Sequence, residues 1–184
     1  MGVPEQTWLL HDAQMDFTQL RIEHWVQYNL FTWQWWFLLA ILLLPWIYWW
    51  AVVDKRRLLA IVTMGLAVSA TANWMDQVGI ELGWWFYSYV PTPIFPQMLP
   101  VNYTLLPIGF MLLYQYYTSW KAFIVTLLAM AAILSFGFEP LFTWMGIYQL
   151  LSWQYSYSFP IYILIGASHK YIVDWIITFS NSKH

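Results

Sequence analysis

Residues 31–53, FTWQWWFLLAILLLPWIYWWAVV, contain no charged side chain. A helix needs about 20 predominantly apolar residues to cross the hydrocarbon core of a bilayer, and this block is that long. Such a block is either buried inside a large soluble core or placed in lipid. Composition decides between the two. Of the 184 residues, 61 % are hydrophobic and only 9 % charged, whereas soluble domains carry about 25 % charged residues. The chain cannot solvate a globular surface, so the block belongs in lipid. Helices satisfy their backbone hydrogen bonds within one segment, which a lipid environment demands. The expected fold class is therefore an all-α, polytopic membrane protein.

Four further blocks follow, giving spans at about 31–53, 58–80, 103–118, 122–145 and 153–177. Pro45 is expected to kink the first. The run Asp54-Lys55-Arg56-Arg57 ends it. Between the second and third spans, YVPTPIFPQMLPVN carries Pro91, Pro93, Pro96 and Pro100, which forbid a continuous helix. The fourth span ends at Gly146, a C-cap residue. The fifth has Pro160 inside it, with Lys170 and Asp174 at i and i+4, the spacing of a local ion pair.

Basic residues set the direction, because short cytoplasmic loops carry an excess of Lys and Arg. With five spans and the N-terminus outside, Lys55, Arg56, Arg57, Lys121, Lys170 and Lys183 all fall at the cytoplasmic side and only Arg21 outside. The C-terminus is then cytoplasmic. Tryptophan agrees: Trp33, Trp35, Trp36, Trp46, Trp49 and Trp50 bracket the first span, as the two interfacial belts require. Trp84 and Trp85 read the same way, as part of the outer belt. Residues 1–30 mix apolar and charged types and read as an amphipathic, at most moderately helical segment on the outer surface. No cleavable signal is expected, since MGVPEQTWLLHDAQMDF has neither a basic start nor a short apolar core.

Several chemistries are excluded. There is no cysteine, hence no disulfide and no thiolate metal site. His11 and His24 are too far apart for a local metal motif, and no metal site is expected. A net charge of −2 without a basic stripe speaks against nucleic acid. No nucleophilic serine motif occurs, so no catalytic residue is assigned. The residues name no cofactor.

The second and fourth spans are crowded with small residues: Gly65, Ala67, Ser69, Ala70 and Ala72 in one, Ala129, Ala131, Ala132, Ser135 and Gly137 in the other. Small residues let helices approach closely in lipid, so these two are expected to touch along Gly65, Ser69, Ala131 and Ser135. Each also carries a polar stripe, Ser69, Asn73 and Asp76 on the second and Ser135 and Glu139 on the fourth. From Arg57 to Asp76 is 76 − 57 = 19 positions, and from Lys121 to Glu139 is 139 − 121 = 18. The carboxylates thus reach one depth near the outer interface and are expected to face each other under the proline-rich loop. Ionisable groups in a membrane are functional candidates. The bland reading is structural capping, with Glu139-Pro140 organising a helix end. Glu81 falls in the wet interfacial layer.

The stretches LFTWQWWF, DKRRLL, LPIGFMLLYQYYTSWKAF, FEPLFTWMGIY and YSFPIYILI together resemble an uncharacterised family of small multi-pass membrane proteins of spore-forming Gram-positive bacteria. That resemblance implies a plasma-membrane location. A fainter one is to membrane lycopene cyclase domains, in the order of Trp74, Asp76, Gly83 and Trp85. It implies architecture only, since LPVN at 99–102 lacks the acidic pair of that pattern and Glu139 would have to replace its general acid.

The leading functional expectation is a binding or accessory protein of the plasma membrane. It would hold a small amphiphile, lipid head group or cation in an outer-leaflet pocket built from Ser69, Asn73, Asp76, Ser135 and Glu139. The alternative is an intramembrane enzyme acting on an isoprenoid or lipid, with Asp76 and Glu139 as acid and base. A second alternative is a structural or assembly protein without ligand. Expected partners are the bilayer, the lipid or amphiphile, and further copies or subunits in a homo- or hetero-oligomer.

Overall fold

A computed structural model describes residues 3–181, with side chains to residue 179. The chain is mostly helical. Helix α1 spans Glu5–Tyr28, α2 Trp33–Val52, α3 Leu58–Glu81, α4 Leu106–Tyr116, α5 Trp120–Ile133, α6 Glu139–Trp144 and α7 Tyr155–Asn181. Among the described residues the strands β1 (Trp85–Tyr87) and β2 (Tyr148–Leu150) form one antiparallel pair. Among the described residues, three segments are long and apolar enough to cross a membrane: Trp33–Val52, Lys55–Glu81 and Trp120–Trp144.

The helices run up and down between two ends. At the basic end, Gln115 near the close of α4 donates to the Val52 carbonyl and accepts from the Asp54 N–H, and Arg57 donates to the Gln115 carbonyl. The far part of α7 closes the same end, where the Tyr114 hydroxyl donates to Asp174 and Lys170 pairs with Asp174 at 3.0 Å. The i,i+4 ion pair is therefore present as expected. At the opposite end, α3 and α6 each stop in the same way. The N–H of Trp84 bonds the Gly79 carbonyl and that of Ile147 bonds the Phe142 carbonyl. Between them, Gly83 and Gly146 take φ of +65° and +73°, the left-handed turn that lets a chain leave a helix with its last carbonyls satisfied. Each glycine feeds a strand, and the two strands pair into a hairpin-like cap. Gly146 thus does what its position predicts.

Among the described residues, two segments are π-helical, Val101–Leu105 ahead of α4 and Leu134–Phe138 between α5 and α6. The cause is legible. Pro107 and Pro140 follow them and lack the N–H that an α-helical turn would use. The last donors before each proline, the N–H groups of Leu106 and Glu139, reach back five residues to Val101 and Leu134.

Two expectations are corrected. The segment before the first span is one continuous helix of 24 residues, not a partly helical one. None of its residues is buried, and its apolar side chains are spread around the axis, so no single face is amphipathic. It leans on the proline-rich loop through Arg21, Trp25 and Asn29, which donate to the carbonyls of Ile94, Val90 and Ser88. The second correction concerns the small residues. α3 packs mainly against α4 and α7, and α5 packs against α7, so α7 stands between the two small-residue helices. Gly65 makes room for the Met111 thioether of α4, whose sulfur would lie 2.6 Å from an added Cβ. Gly166 of α7 makes room for Leu127 of α5 and Phe110 of α4. Close approach is real here, but the partners are large side chains on neighbouring helices.

Candidate functional site

Asp76 is 6 % exposed. Its Oδ1 accepts from the Trp85 indole at 2.9 Å and the Tyr87 hydroxyl at 2.7 Å. Its Oδ2 accepts from the Met98 backbone N–H at 2.9 Å and the Asn102 amide at 2.6 Å. These donors come from β1, from the end of the proline-rich loop and from the first π turn, so one side chain of α3 ties three segments together. β1 can reach it because strand side chains alternate. Trp85 and Tyr87 share the inward face while Phe86 is exposed. Gly79, one turn beyond Asp76, leaves α3 bare where the indole crosses; a Cβ there would overlap the Trp85 ring. Burial, with the Asp76 carboxylate adding to it, pushes the Tyr87 hydroxyl well above the usual tyrosine range, so it stays a donor.

Glu139 is held differently. Ser158 donates to Oε2 and Tyr162 to Oε1, both at 3.0 Å. Both donors sit on α7, at i and i+4 on one face. Trp153 in turn donates to the Ser158 oxygen at 3.0 Å. The second π turn ends on Glu139, which widens the helix there and turns the carboxylate towards α7.

Between the two acids lies a cavity of about 130 Å³. Its floor is apolar, with Leu106, Leu134, Ile161 and Ile165, and its roof is aromatic. Trp153 stacks on Trp84 at 5.1 Å between ring centres and meets Trp85 edge-on at 5.0 Å, and Tyr87 stacks on Tyr148 at 5.4 Å. Both π turns border it, through Val101, Asn102 and Leu105 on one side and Leu134 and Phe138 on the other. Turns of this kind gather at functional sites. An engineered void of about 150 Å³ accepts benzene, so this one has room for a small head group or a short apolar stem.

The sequence-derived residues divide. Asp76 and Glu139 border one cavity but do not bond each other: each is satisfied by its own donors. Asn73 folds its amide back on Ser69, 2.8 Å to the carbonyl and 3.4 Å to the hydroxyl, and neither residue lines the cavity. Ser135 is fully buried, its hydroxyl without a hydrogen-bond partner among the described residues, and it too lies outside the lining. Glu81 is exposed and accepts from Gln77. Trp85 is not a belt residue; it points into the protein. Asn102, Tyr87, Ser158 and Tyr162 were not singled out from the sequence. Only the last two left a signal, as hydroxyl residues one turn apart in a span that has Glu139 opposite it. Among the described residues, no group of acids and histidines is placed to hold a metal ion.

Comparison with protein-family models, curated proteins and solved structures finds no match to this chain.

Proposed function

We propose that this is a multi-pass plasma-membrane binding protein that holds a small amphiphile by its head in the hairpin-end cavity, within the outer leaflet. The observation that carries the reading is Glu139. A carboxylate offers about four acceptor positions, and two hydroxyl donors leave it spare capacity at the edge of an apolar void. Asp76 has no such capacity: four donors fill it. That disfavours an acid–base pair and with it the intramembrane enzyme. A ligand-free structural protein has no use for a void beside an underused carboxylate, because such voids cost packing energy.

The topology that goes with this reading has five spans, N-terminus outside and C-terminus cytoplasmic. Its support is that α4 with its π turn, and α7, run between the same two ends as the three apolar segments. Leu106–Tyr116 covers about 16 Å at 1.5 Å per residue, and the five-residue π turn before it extends the segment. The basic residues then gather at the cytoplasmic end and the hairpin faces outward. Engineered cysteines test it. One at Thr92 should react with an impermeant reagent on intact cells, and one at Arg57 only after permeabilisation; equal reaction of both from outside would overturn the topology.

The binding reading is tested by native mass spectrometry of the protein purified in dodecyl maltoside. A bound small molecule should accompany the wild-type chain and be lost in Ala72→Phe, which fills the cavity from α3. A folded wild-type protein with no adduct, or an adduct unaffected by the substitution, would overturn it.

A further inference from the structure

We propose that the head group taken by this cavity is a protonated primary amine; the inference rests on the binding reading above and specifies its ligand. Asp76 and Glu139 are the charged residues of the cavity wall, and no Lys, Arg or His lines it among the described residues. An anionic head would meet two carboxylates and no countercharge. Most of the polar hydrogens that could solvate an anion are already committed: the Trp85 indole and Tyr87 hydroxyl to Asp76, the Ser158 and Tyr162 hydroxyls to Glu139, and the Trp153 indole to Ser158. What remains open to a guest is the spare acceptor capacity of Glu139, the Tyr148 hydroxyl, which can accept as well as donate, and the faces of aromatic rings. Ring faces attract cations and do nothing for anions.

The same chain shows how it holds an ammonium elsewhere. At the basic end the Lys170 ammonium is 2 % exposed, 3.0 Å from the Asp174 carboxylate, and within 4.9–5.2 Å of the ring centres of Tyr114, Phe123 and Trp120. A tyrosine hydroxyl steadies the acid there, Tyr114 on Asp174, as Tyr162 does on Glu139. The hairpin end repeats the ingredients, a carboxylate braced by a tyrosine and walled by aromatic rings. The difference is that no side chain among the described residues supplies the cation. A carboxylate in so apolar a setting is stabilised most by a paired cation that brings its own hydrogen-bond donors.

Three probes of equal chain length test the inference: decylamine, decanol and decanoate, titrated into the protein in uncharged dodecyl maltoside at neutral pH. Binding is read by the fluorescence of the cavity tryptophans, with Ala72→Phe as the blocked control. Decylamine should bind about tenfold tighter than decanol, the worth of one charge-assisted contact, and decanoate should not bind. Glu139→Gln should bring decylamine to the level of decanol and leave decanol unchanged. Should that variant fail to fold, Ser158→Ala, which loosens the carboxylate without removing it, should keep the amine preference. If decanol binds as well as decylamine, or Glu139→Gln retains the preference, the ammonium inference falls and the binding reading stands. If none of the three binds in a way that Ala72→Phe blocks, the binding reading itself falls.

Discussion

Asp76 and Glu139 carry the same functional group and border the same cavity, yet they are held in opposite ways. Two of the four donors on Asp76 cannot change role, an indole N–H and a backbone N–H, and a third, the Asn102 amide, can do so only by flipping its carboxamide. They come from three segments between residues 85 and 102, and neither the indole nor the backbone N–H is satisfied without an acceptor in the middle. Both donors on Glu139 are hydroxyls from one helix, and a hydroxyl that loses its acceptor can turn and accept instead. A buried charge whose partners are many, fixed and drawn from several segments is a fastening. One with few, adaptable partners beside a void is a site. Burial of a carboxylate in a membrane helix does not by itself tell the two apart.

The contrast is broken or sharpened by substitution, and the largest effect is expected at Asp76. Asp76→Ala orphans a set of buried donors in one step and should lower unfolding stability in detergent by about 3 kcal/mol or more. The same variant should release the proline-rich loop, seen as faster proteolysis between residues 88 and 100. A thermal midpoint equal to that of the wild type would show that the fastening is not one.

Gly79→Ala comes next. Its methyl would overlap the Trp85 indole, so the ring must swing away from Asp76. The cost of such overpacking is about 1–3 kcal/mol. Trp85 should become more accessible to a soluble quencher, whereas alanine at an ordinary helical glycine would stabilise by up to about 1 kcal/mol. A stabilised protein would mean that Trp85 does not cross α3 at this point.

The smallest effect is expected at Glu139. Glu139→Gln keeps the shape and meets two hydroxyls that can reorient, so stability should change by less than about 1 kcal/mol. Chemical denaturation of the two proteins side by side checks it. A loss as large as that of Asp76→Ala would place Glu139 among the fastenings and remove the asymmetry on which the ligand reading depends.

Much of this architecture was legible residue by residue. The charge-free block at 31–53, the basic cluster at 54–57 and the small-residue run after Leu58 marked helices and their ends, because lipid leaves the backbone few other choices. Gly146 marked a helix end through its tolerance of positive φ. Pro107 and Pro140 sat where the π turns form, although the sequence does not reveal that a helix will widen rather than break. Asp76 and Glu139, which counting along the two spans puts near one level, border one cavity.

What counting could not supply was rotation and partner choice. The stripe of Ser69, Asn73 and Asp76 looked continuous, but Asn73 is spent on Ser69 and only Asp76 reaches the cavity. Small residues on two helices suggested that the helices touch, whereas α7 intervenes and large side chains fill the gaps. The donors on Asp76 depend on β1, which is held by β2 through pairs such as Trp85 with Leu150. Those pairs join the ends of two helices that have no local reason to meet. The sequence by itself determined where helices start, stop and deform, since these are local matters of backbone hydrogen bonding and solvent. Only the tertiary structure decided which carboxylate is saturated and which is left with free acceptors, because that depends on long-range pairing which no local rule encodes.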